Sequence, residues 1–359
     1  MKSMSKLTQS SLFQRAASML PLPQHPTLRL SRASLESSSF HMAMKLQTSG
    51  FHQRITVNDV PEMNQRSLYW PPRFRHLIKD VKVHTPTGLT FFEGRLINQS
   101  GQIFEEAHSS ALQNRVGRPP DRVRTKFANE EYFVVPTIHA YWHWAVEWLP
   151  RVLGMKAISS DVTVLTTFRQ PSYVKQGLEL AGVSVEYVDK VWINVDSLWI
   201  VDKAFFGFIH PDDSSNLREF CKTIASNFES TATLPSKVYV SRKGFARSMS
   251  NETELEEWLE SVGFAIFRVN EMASLQEQAR LFSSAELLVG PTGSSLSNVV
   301  FMPPGSKAIE LAVWLNNWPE CESLSASSGV AHEKVLLKAT RSAPYGDGRE
   351  AIRRLKEIL

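Results

Sequence analysis

A run of small residues separates a predicted strand from a predicted helix in LLVGPTGSSLSNVVFMPPG, from Leu287 to Gly305. In a parallel α/β sheet, ligands bind at the carboxyl ends of the strands, and the free N–H groups of a following helix attract anions. Gly290 and Gly293 allow the backbone to approach a ligand closely. Hydroxyl groups come from Thr292, Ser294 and Ser295. The turn therefore predicts a phosphate or diphosphate site, with a simple tight connection as the alternative.

Two arginines follow another predicted strand of the same half of the chain, in VYVSRKGFARSMSNE. Arg242 and Arg247 carry guanidinium groups, which form forked hydrogen bonds with phosphate oxygens. We expect both to close over the diphosphate, with two solvated surface arginines as the alternative. In the later strand KAIELA, Glu310 is expected to bind ribose hydroxyls, as an acid does in nucleotide-binding folds. An ion pair with a neighbouring lysine is the alternative for Glu310.

A second group of chemically competent residues lies in HAYWHWAVEWLPR, which has the apolar density of a buried helix. His143 and Glu147 are four residues apart and share a helix face, where one could act as a general base and the other orient it. We favour Glu147 as the base because a carboxylate is ionised at neutral pH. The alternative is a structural ladder of His143, Glu147 and Arg151. A zinc site that adds His139 is not expected, since Pro136 places His139 before the helix.

The composition limits the classes of protein to which this chain can belong. The 359 residues are 42% hydrophobic and 21% charged, as in a globular protein of about two domains. The formal net charge of +4 comes from dispersed residues, which favours an anionic small ligand and argues against nucleic acid. The only cysteines are Cys221 and Cys321, which suggests a reducing compartment. No apolar stretch approaches the roughly 20 residues needed to span a bilayer.

The order of predicted elements divides the chain into four parts. Residues 1–50 form a basic, Ser-rich tail, with an organelle transit peptide as the alternative. Residues 51–230 begin with a β-meander and continue with alternating strands and helices. Residues 231–320 form a second alternating series, and residues 321–359 end in an amphipathic helix that packs back on the core. The alternation predicts α/β domains with parallel sheets closed by right-handed crossovers.

Several helix ends are indicated by capping residues. Pro171 and Gly182 bound one predicted helix, and Asn251 is expected to cap a second. Ser274 and Glu277 form the capping-box pattern of a third helix. After the turn, SSLSNVVFM predicts a short helix that Pro-Pro-Gly ends.

The motifs resemble, in the same order, those of glycosyltransferase family 61. The segments that carry the resemblance are YVSRKGFARSMSNETEL and GFAIFRVNEMASLQEQARLFSSAELLVGPTGSSLSNVVFMPPGSKAIEL. In that family, the loop that follows one strand contains arginine and precedes Asn-Glu. A later Gly-rich turn ends in Asn-x-x-Phe-Met-Pro-Pro-Gly and is followed by Ile-Glu. YWHWAVEWLPRV is similar to the family's His-containing helix with its Leu-Pro-Arg ending. The resemblance runs from about Tyr132 to Leu311.

The resemblance implies a GT-B architecture, in which two Rossmann-like domains face a cleft. Residues 51–230 would be the acceptor side, and residues 231–320 would bind a nucleotide sugar. It also implies an inverting enzyme that uses a UDP-sugar, commonly UDP-GlcNAc, UDP-xylose or UDP-arabinose. The positions that match the family's motifs are Arg242 and Arg247 on the diphosphate side, Gly293, Ser294 and Asn298 in the turn, and Glu310 as the ribose-binding acid.

The turn departs from the family at one position. The family often has Gly-x-His-Gly-Ala where this chain has Thr292 followed by Gly293 and Ser294. The chain also contains no Asp-x-Asp motif for holding Mg²⁺. We therefore expect no metal and no cofactor beyond the donor, with the two arginines and the helix N-terminus stabilising the leaving UDP.

Tryptophans are abundant and suit a carbohydrate acceptor, because aromatic faces stack on sugar rings. Trp144 and Trp148 are expected in the core and Trp142 nearer the acceptor, while Trp314 and Trp318 would cover the donor side. We expect a glycan or lipid-linked saccharide as acceptor and a cytoplasmic or membrane-peripheral location. A sugar-nucleotide epimerase, or another nucleotide-binding α/β enzyme, is one alternative function. A non-catalytic sugar-nucleotide-binding protein is the other, motivated by Thr292.

Overall fold

The structure, a computed structural model of the chain, describes nine stretches of residues. These are residues 52–57, 73–92, 95–97, 119–201, 211–227, 234–245, 247–268, 274–313 and 320–359. The predicted tail over residues 1–50, and Trp314 and Trp318, lie outside the described residues.

The first half of the chain forms a mixed sheet, ordered β4-β3-β2-β9-β6-β7-β8, with β1 paired to β2 and β5 to β9. The strands are β1 His52–Val57, β2 Arg73–His84, β3 Leu89–Phe92, β4 Arg95–Ile97, β5 Lys126–Phe127, β6 Tyr132–Val135, β7 Thr163–Thr167, β8 Ser184–Val188 and β9 Trp192–Val201. Residues such as Ile78, Val195 and Leu198 form its buried core.

The prediction of a parallel sheet is correct for only part of this first sheet. β6, β7 and β8 are parallel, as expected for strands joined through helices. β2, however, pairs with β9 in antiparallel fashion, from Arg75 opposite Val201 to His84 opposite Trp192. The reason is that β2 begins the predicted meander, whose antiparallel hairpins with β3 and β4 are confirmed and need no crossover helix.

The second half of the chain forms the fully parallel sheet that the alternating pattern predicts. Its order is β11-β10-β12-β13-β14. The strands are β10 Lys237–Ser241, β11 Ala265–Arg268, β12 Leu287–Pro291, β13 Lys307–Val313 and β14 Ala331–Leu337. β14, like β9 of the first sheet, was not predicted from the sequence.

Helices connect and cover these strands. They are α1 Leu149–Ile158, α2 Ser172–Ala181, α3 Pro211–Ser226, α4 Glu252–Ser261, α5 Leu275–Ser283, α6 Glu320–Ser328 and α7 Gly348–Leu355. A π-helical segment, His143–Trp148, leads directly into α1. The predicted short helix after the small-residue turn is a 3-10 helix, Ser294–Phe301.

Two of the three predicted helix caps are confirmed, and the third residue occupies the cap position without forming a side-chain bond to the helix. Gly182 ends α2 with a left-handed φ of 60°, and Ser274 with Glu277 forms the capping box of α5. Asn251, in contrast, makes no side-chain capping bond to α4. Its backbone has a left-handed φ of 54° instead of the extended conformation usual at an N-cap, and its Nδ2 donates to Asp347, 2.8 Å away at the start of α7.

The C-terminal helix packs on the second sheet, which confirms that it returns to the core. α7 buries Ala351 and Leu355 in the same apolar cluster as Leu255 and Leu259 of α4. Ile309 and Leu311 of β13 contribute from the sheet. This cluster covers one face of the sheet, so the opposite face is left for α5, α6 and the 3-10 helix.

Contacts between Cα atoms group the chain into two compact units. Unit 1 comprises residues 1–137, 161–169 and 184–205, and unit 2 comprises residues 138–160, 170–183 and 206–359. The helix that carries His143 and Glu147 therefore groups with the second sheet, whereas the predicted boundary near residue 230 placed it with the first. Among the described residues, no helix combines the length and apolar character that a membrane crossing requires.

Candidate functional site

The second sheet changes winding direction between β10 and β12. β10 connects through α4 to β11 on one side, whereas β12 connects through the 3-10 helix to β13 on the other. In doubly wound sheets of order 2-1-3-4-5, ligands bind at the carboxyl ends of the strands that flank this switch point. The segments that leave those ends contain Arg242, Arg247 and the small-residue turn.

Arg242 joins the two segments at this edge of the sheet. Its Nη1 donates to the carbonyl oxygen of Thr292 over 2.8 Å, so the loop after β10 holds the turn after β12. The guanidinium lies directly against Gly293, where a Cβ atom would overlap with Nη1. A side chain at position 293 would therefore displace the guanidinium of Arg242. The predicted close approach of a ligand to this glycine stays a prediction.

Arg242 and Arg247 place two positive charges close together at this edge. Burial lowers the pKa of Arg242 from its ordinary value, and the nearby charge of Arg247 lowers it further. Within the described part of the chain, neither guanidinium forms an ion pair with a carboxylate. The carboxylate of Glu252 offsets part of this charge, since it raises the pKa of Arg242, but its effect is smaller than that of Arg247. An anion bound between the two arginines would relieve the repulsion that remains. The arrangement therefore favours an anionic ligand over the alternative of two unrelated surface arginines.

Glu252, the first residue of α4, holds the arginine loop in place. Its side chain is buried, and Oε1 accepts from the backbone N–H of Arg242 at 2.7 Å and from the hydroxyl of Tyr239 at 3.0 Å. Oε2 accepts from the N–H of Met249 at 3.3 Å. Glu252 is the glutamate of the Asn-Glu pair in the arginine motif, but residue type and spacing did not mark it as a functional residue. One carboxylate that accepts from the N–H groups at both ends of a loop is a signal that only the structure shows.

The turn after β12 offers partly exposed groups at the same edge. Thr292, Gly293, Ser294 and Ser295 are all half-buried, and the N–H of Thr292 donates to the carbonyl of Leu311 at 3.0 Å. The helix that follows is 3-10 rather than α, which aligns its peptide dipoles less well. The attraction for an anion therefore depends more on the arginines than the sequence predicts.

Glu310 lies inside β13, and its carboxylate contacts protein groups. It is 1% exposed, and Oε1 accepts from the hydroxyl of Thr292 at 2.6 Å. Oε2 lies 3.1 Å from Nε2 of His332 and 3.4 Å from Nζ of Lys334. Burial alone raises the pKa of Glu310, but these three neighbours together hold it below its ordinary value. The alternative of an ion pair with a neighbouring lysine is confirmed, while the ribose-binding role stays a prediction.

One group of side chains in the described residues has the spacing of a metal site. The ligand atoms of Glu310, Cys321 and His332 all lie within 4.8 Å of one another. This set of oxygen, sulfur and nitrogen donors is of the kind that zinc accepts. The ammonium of Lys334 already neutralises the carboxylate, however, and His332 is bound to it directly. The carboxylate of this group therefore already has protein partners.

The predicted acid–base pair is formed within unit 2. Nδ1 of His143 lies 3.1 Å from Oε1 of Glu147, and the two side chains are 49% and 9% exposed. The helix begins after His139, as predicted, and the guanidinium of Arg151 lies 4.7 Å from the ring centroid of Trp148. π-helical segments such as this one are frequent at functional sites.

The tryptophans of this helix divide as the sequence predicts. Trp144 and Trp148 are buried, whereas Trp142 is half-buried. Gly177 of α2 lies against the indole of Trp144, where a Cβ atom would conflict with the ring. Trp142 therefore remains the tryptophan of this helix available to a ligand.

Asn298 does not reach solvent. Its side chain is 0% exposed and hydrogen-bonds to three other residues of unit 2. An amide with these contacts supports the turn from beneath, and its predicted contact with a nucleotide stays a prediction.

Comparison with known families matches residues 141–309 to the family described as Glycosyltransferase 61. The matched region starts at Tyr141, includes the His143–Glu147 pair, the arginine loop and the small-residue turn, and ends inside β13. It covers just under half of the chain and confirms the resemblance carried by the motifs. No curated protein matches the chain.

Proposed function

Residues 141–309 belong to glycosyltransferase family 61, and from this premise we propose that the protein transfers a sugar from a UDP-sugar to a glycan or polysaccharide precursor. The family implies glycosyltransferase activity, and the identities of the donor and the acceptor are what we propose. One observation carries it: Arg242 and Arg247 bring two positive charges together at the switch point of a parallel sheet, and at Arg242 the charge of Arg247 outweighs the opposing charge of Glu252. A nucleoside diphosphate would supply further negative charge at that place.

The two arginines and the turn would act on the leaving group. As the bond between the sugar C1 and the diphosphate breaks, its electron pair passes to the UDP oxygen, and negative charge grows there. Guanidinium groups already fixed in place stabilise that charge without reorganisation; one well-placed donor is worth roughly 2.7–4 kcal/mol. Arg242 is fixed by Thr292 and Glu252. The proposal therefore assigns this role to protein cations and expects transfer to continue when metal ions are chelated.

The His143–Glu147 pair would activate the acceptor. An inverting transfer needs a base that removes the acceptor hydroxyl proton while its oxygen attacks C1. The more exposed His143 is the better candidate for contact with an acceptor, and the buried Glu147, whose Oε1 lies 3.1 Å from Nδ1, would orient the imidazole through its negative charge. We therefore propose His143 as the base and Glu147 as its orienting partner, the reverse of the preference drawn from ionisation at neutral pH.

A GT-B architecture belongs to the same proposal. The doubly wound parallel sheet β10–β14 supports a Rossmann-like nucleotide-binding domain. The first sheet, with antiparallel β2 against β9, offers less support for a second domain of that kind.

Nucleotide binding tests the donor site. Calorimetry with UDP, GDP, ADP and CDP should show UDP-selective binding by the wild type. Arg242→Met and Arg247→Met should each weaken UDP binding about 10- to 100-fold, the loss expected for one hydrogen bond to a charged group. Arg353→Met, which removes an exposed arginine of α7 beside Glu357, is the matched control and should bind as the wild type does. Equal affinity in all the variants would overturn the donor-site assignment.

Turnover separates an enzyme from a non-catalytic binding protein. The second candidate rests on Thr292, which stands where the family often has histidine. UDP release from UDP-N-acetylglucosamine, UDP-xylose and UDP-arabinose, measured with a panel of saccharide acceptors and with EDTA present, should reveal one productive donor. UDP binding without release from any donor would favour the binding protein.

A further inference from the structure

Asn298 is the shared hydrogen-bonding partner of three segments in unit 2. Its Oδ1 accepts from the hydroxyl of Tyr141 at 3.2 Å and from Nε2 of Gln278 at 2.6 Å. Its Nδ2 donates to the carbonyl of Ser295 at 2.9 Å. Tyr141 starts the helix that continues into the π-helical segment, Gln278 lies in α5, and Ser295 lies in the 3-10 helix. The Asn298 amide therefore connects the helix of the acid–base pair with the small-residue turn after β12. We call this segment, Thr292 to Ser295, the donor turn, because the proposed function places the sugar donor there.

These bonds depend on one another. Oδ1 accepts from both donors and Nδ2 donates to the carbonyl, so the orientation of the amide is determined by its neighbours. A buried polar group left without a partner is costly, and for this reason loss of one contact disturbs the other two. Burial raises the pKa of Tyr141 well above its ordinary value, which keeps the phenol protonated as a donor. The phenol therefore stays a donor to Asn298 at neutral pH.

Tyr141 is two residues before His143, on the same helical turn. The edge of its ring meets the Tyr173 ring, with centroids 5.4 Å apart, so packing already holds the aromatic group in place. The hydroxyl adds what packing does not: a directional bond to the element that follows the donor turn. A shift of about 1 Å between a base and its substrate can cost about 100-fold in rate.

We propose that Asn298 is a positioning residue that sets the distance between the His143–Glu147 pair and the donor turn, with Tyr141 as its contact on the helix of the pair. The inference rests on the proposed function and deepens it. It assigns Asn298 to alignment of the two reacting partners, in place of the contact with a nucleotide that the family resemblance implies. Gln278 holds the amide from the side of α5.

The test separates chemistry from donor binding. Tyr141→Phe removes one hydroxyl and keeps the ring. We expect turnover with the productive UDP-sugar to fall at least 10-fold, while the dissociation constant for UDP stays within 2-fold of the wild-type value. Tyr173→Phe is the matched control, since it removes a neighbouring hydroxyl that forms no hydrogen bond with a described residue. This control should turn over as the wild type does.

Asn298→Asp tests the side of the donor turn. An aspartate keeps the acceptors for Tyr141 and Gln278 but sets an oxygen against the carbonyl of Ser295. We therefore expect this variant to lose both turnover and UDP affinity. Melting curves of the variants confirm that each is folded under the assay conditions.

The outcomes are distinguishable. Three results would overturn the positioning role while the proposed function stands. Turnover could be unchanged in Tyr141→Phe, or turnover and UDP affinity could fall together in that variant. Turnover could also fall as far in Tyr173→Phe as in Tyr141→Phe. A wild type that neither binds UDP nor releases it from any UDP-sugar overturns the proposed function and the positioning role together.

Discussion

The guanidinium of Arg242 lies against the backbone of Gly293, in the space that any larger residue would occupy. The same group donates to the carbonyl oxygen of Thr292, so the arginine and the turn form one surface. The backbone of Gly293 is extended, with φ of 166°, which any residue can adopt. The need for glycine therefore comes from the neighbouring side chain and not from backbone strain.

Gly293→Ala should weaken UDP binding by about 10-fold, because the new methyl group displaces the Arg242 guanidinium from its position. Calorimetric titration with UDP measures the loss. In an Arg242→Met background, where the guanidinium is already absent, the same alanine should cause no further loss. Losses that simply add in the double variant would show that Gly293 acts independently of Arg242.

Glu252→Gln should loosen the loop between Arg242 and Met249. The variant replaces one acceptor oxygen by an amide group that cannot accept from a backbone N–H. Trypsin cleavage after Lys243 and Arg247 should become faster, and UDP affinity should fall. Glu254→Gln is the control in the same helix, since it removes only an exposed ion pair with Arg349. Equal cleavage rates in the two variants would rule out Glu252 as the residue that holds the loop.

Thr292→Val should destabilise the protein by about 1.5–3 kcal/mol, the usual value of a hydrogen bond to a charged group. The change removes the hydroxyl that Glu310 accepts from at 2.6 Å and leaves the volume almost unchanged. Chemical denaturation monitored by tryptophan fluorescence provides the comparison. Thr292→Ser, which restores a hydroxyl at the same position, should recover most of the loss. A valine variant as stable as the wild type would mean that the buried carboxylate does not need this donor.

The stabilisation from Glu256 should depend on pH in a predictable direction. Burial alone raises the pKa of this carboxyl, but the hydrogen bonds and charge of Arg268, with Lys243 nearby, lower it below its ordinary value of 4.5. A group with a lowered pKa in the folded state stabilises the fold above its unfolded pKa, and the contribution is lost as pH falls through the folded value.

Glu256→Gln should therefore melt at a lower temperature than the wild type at neutral pH, and the difference should shrink as pH falls below about 4.5. Melting curves between pH 7 and 3 would measure this convergence. Glu254→Gln, which changes an exposed ion pair in the same helix, should show little difference at any pH. A gap for Glu256→Gln that stays constant with pH would contradict the assignment.

Only the second sheet is fully parallel, although both halves of the chain show strands followed by helices. The difference lies in β2, which begins a meander and then pairs with β9, more than a hundred residues away in sequence. Hydrophobic periodicity identifies a strand, but it carries no information on which distant strand becomes the partner. The sequence could therefore predict the class of the fold and not the pairing of the first sheet.

The sequence by itself determined the features that depend on neighbouring residues. The capping box of Ser274 and Glu277, the glycine end of α2 and the four-residue spacing of His143 and Glu147 follow from local geometry.

Tertiary structure alone decided the partners of the buried polar groups. Asn251 donates to Asp347, Glu310 is held by Thr292 with His332 and Lys334, and Asn298 links Tyr141 to the turn. Each of these contacts joins residues that are 18 or more positions apart. A buried carboxylate or amide takes whichever partners the packing brings within hydrogen-bond distance. Residue type therefore predicted that these polar side chains would form specific contacts. Only the folded chain decided which residues became their hydrogen-bonding partners.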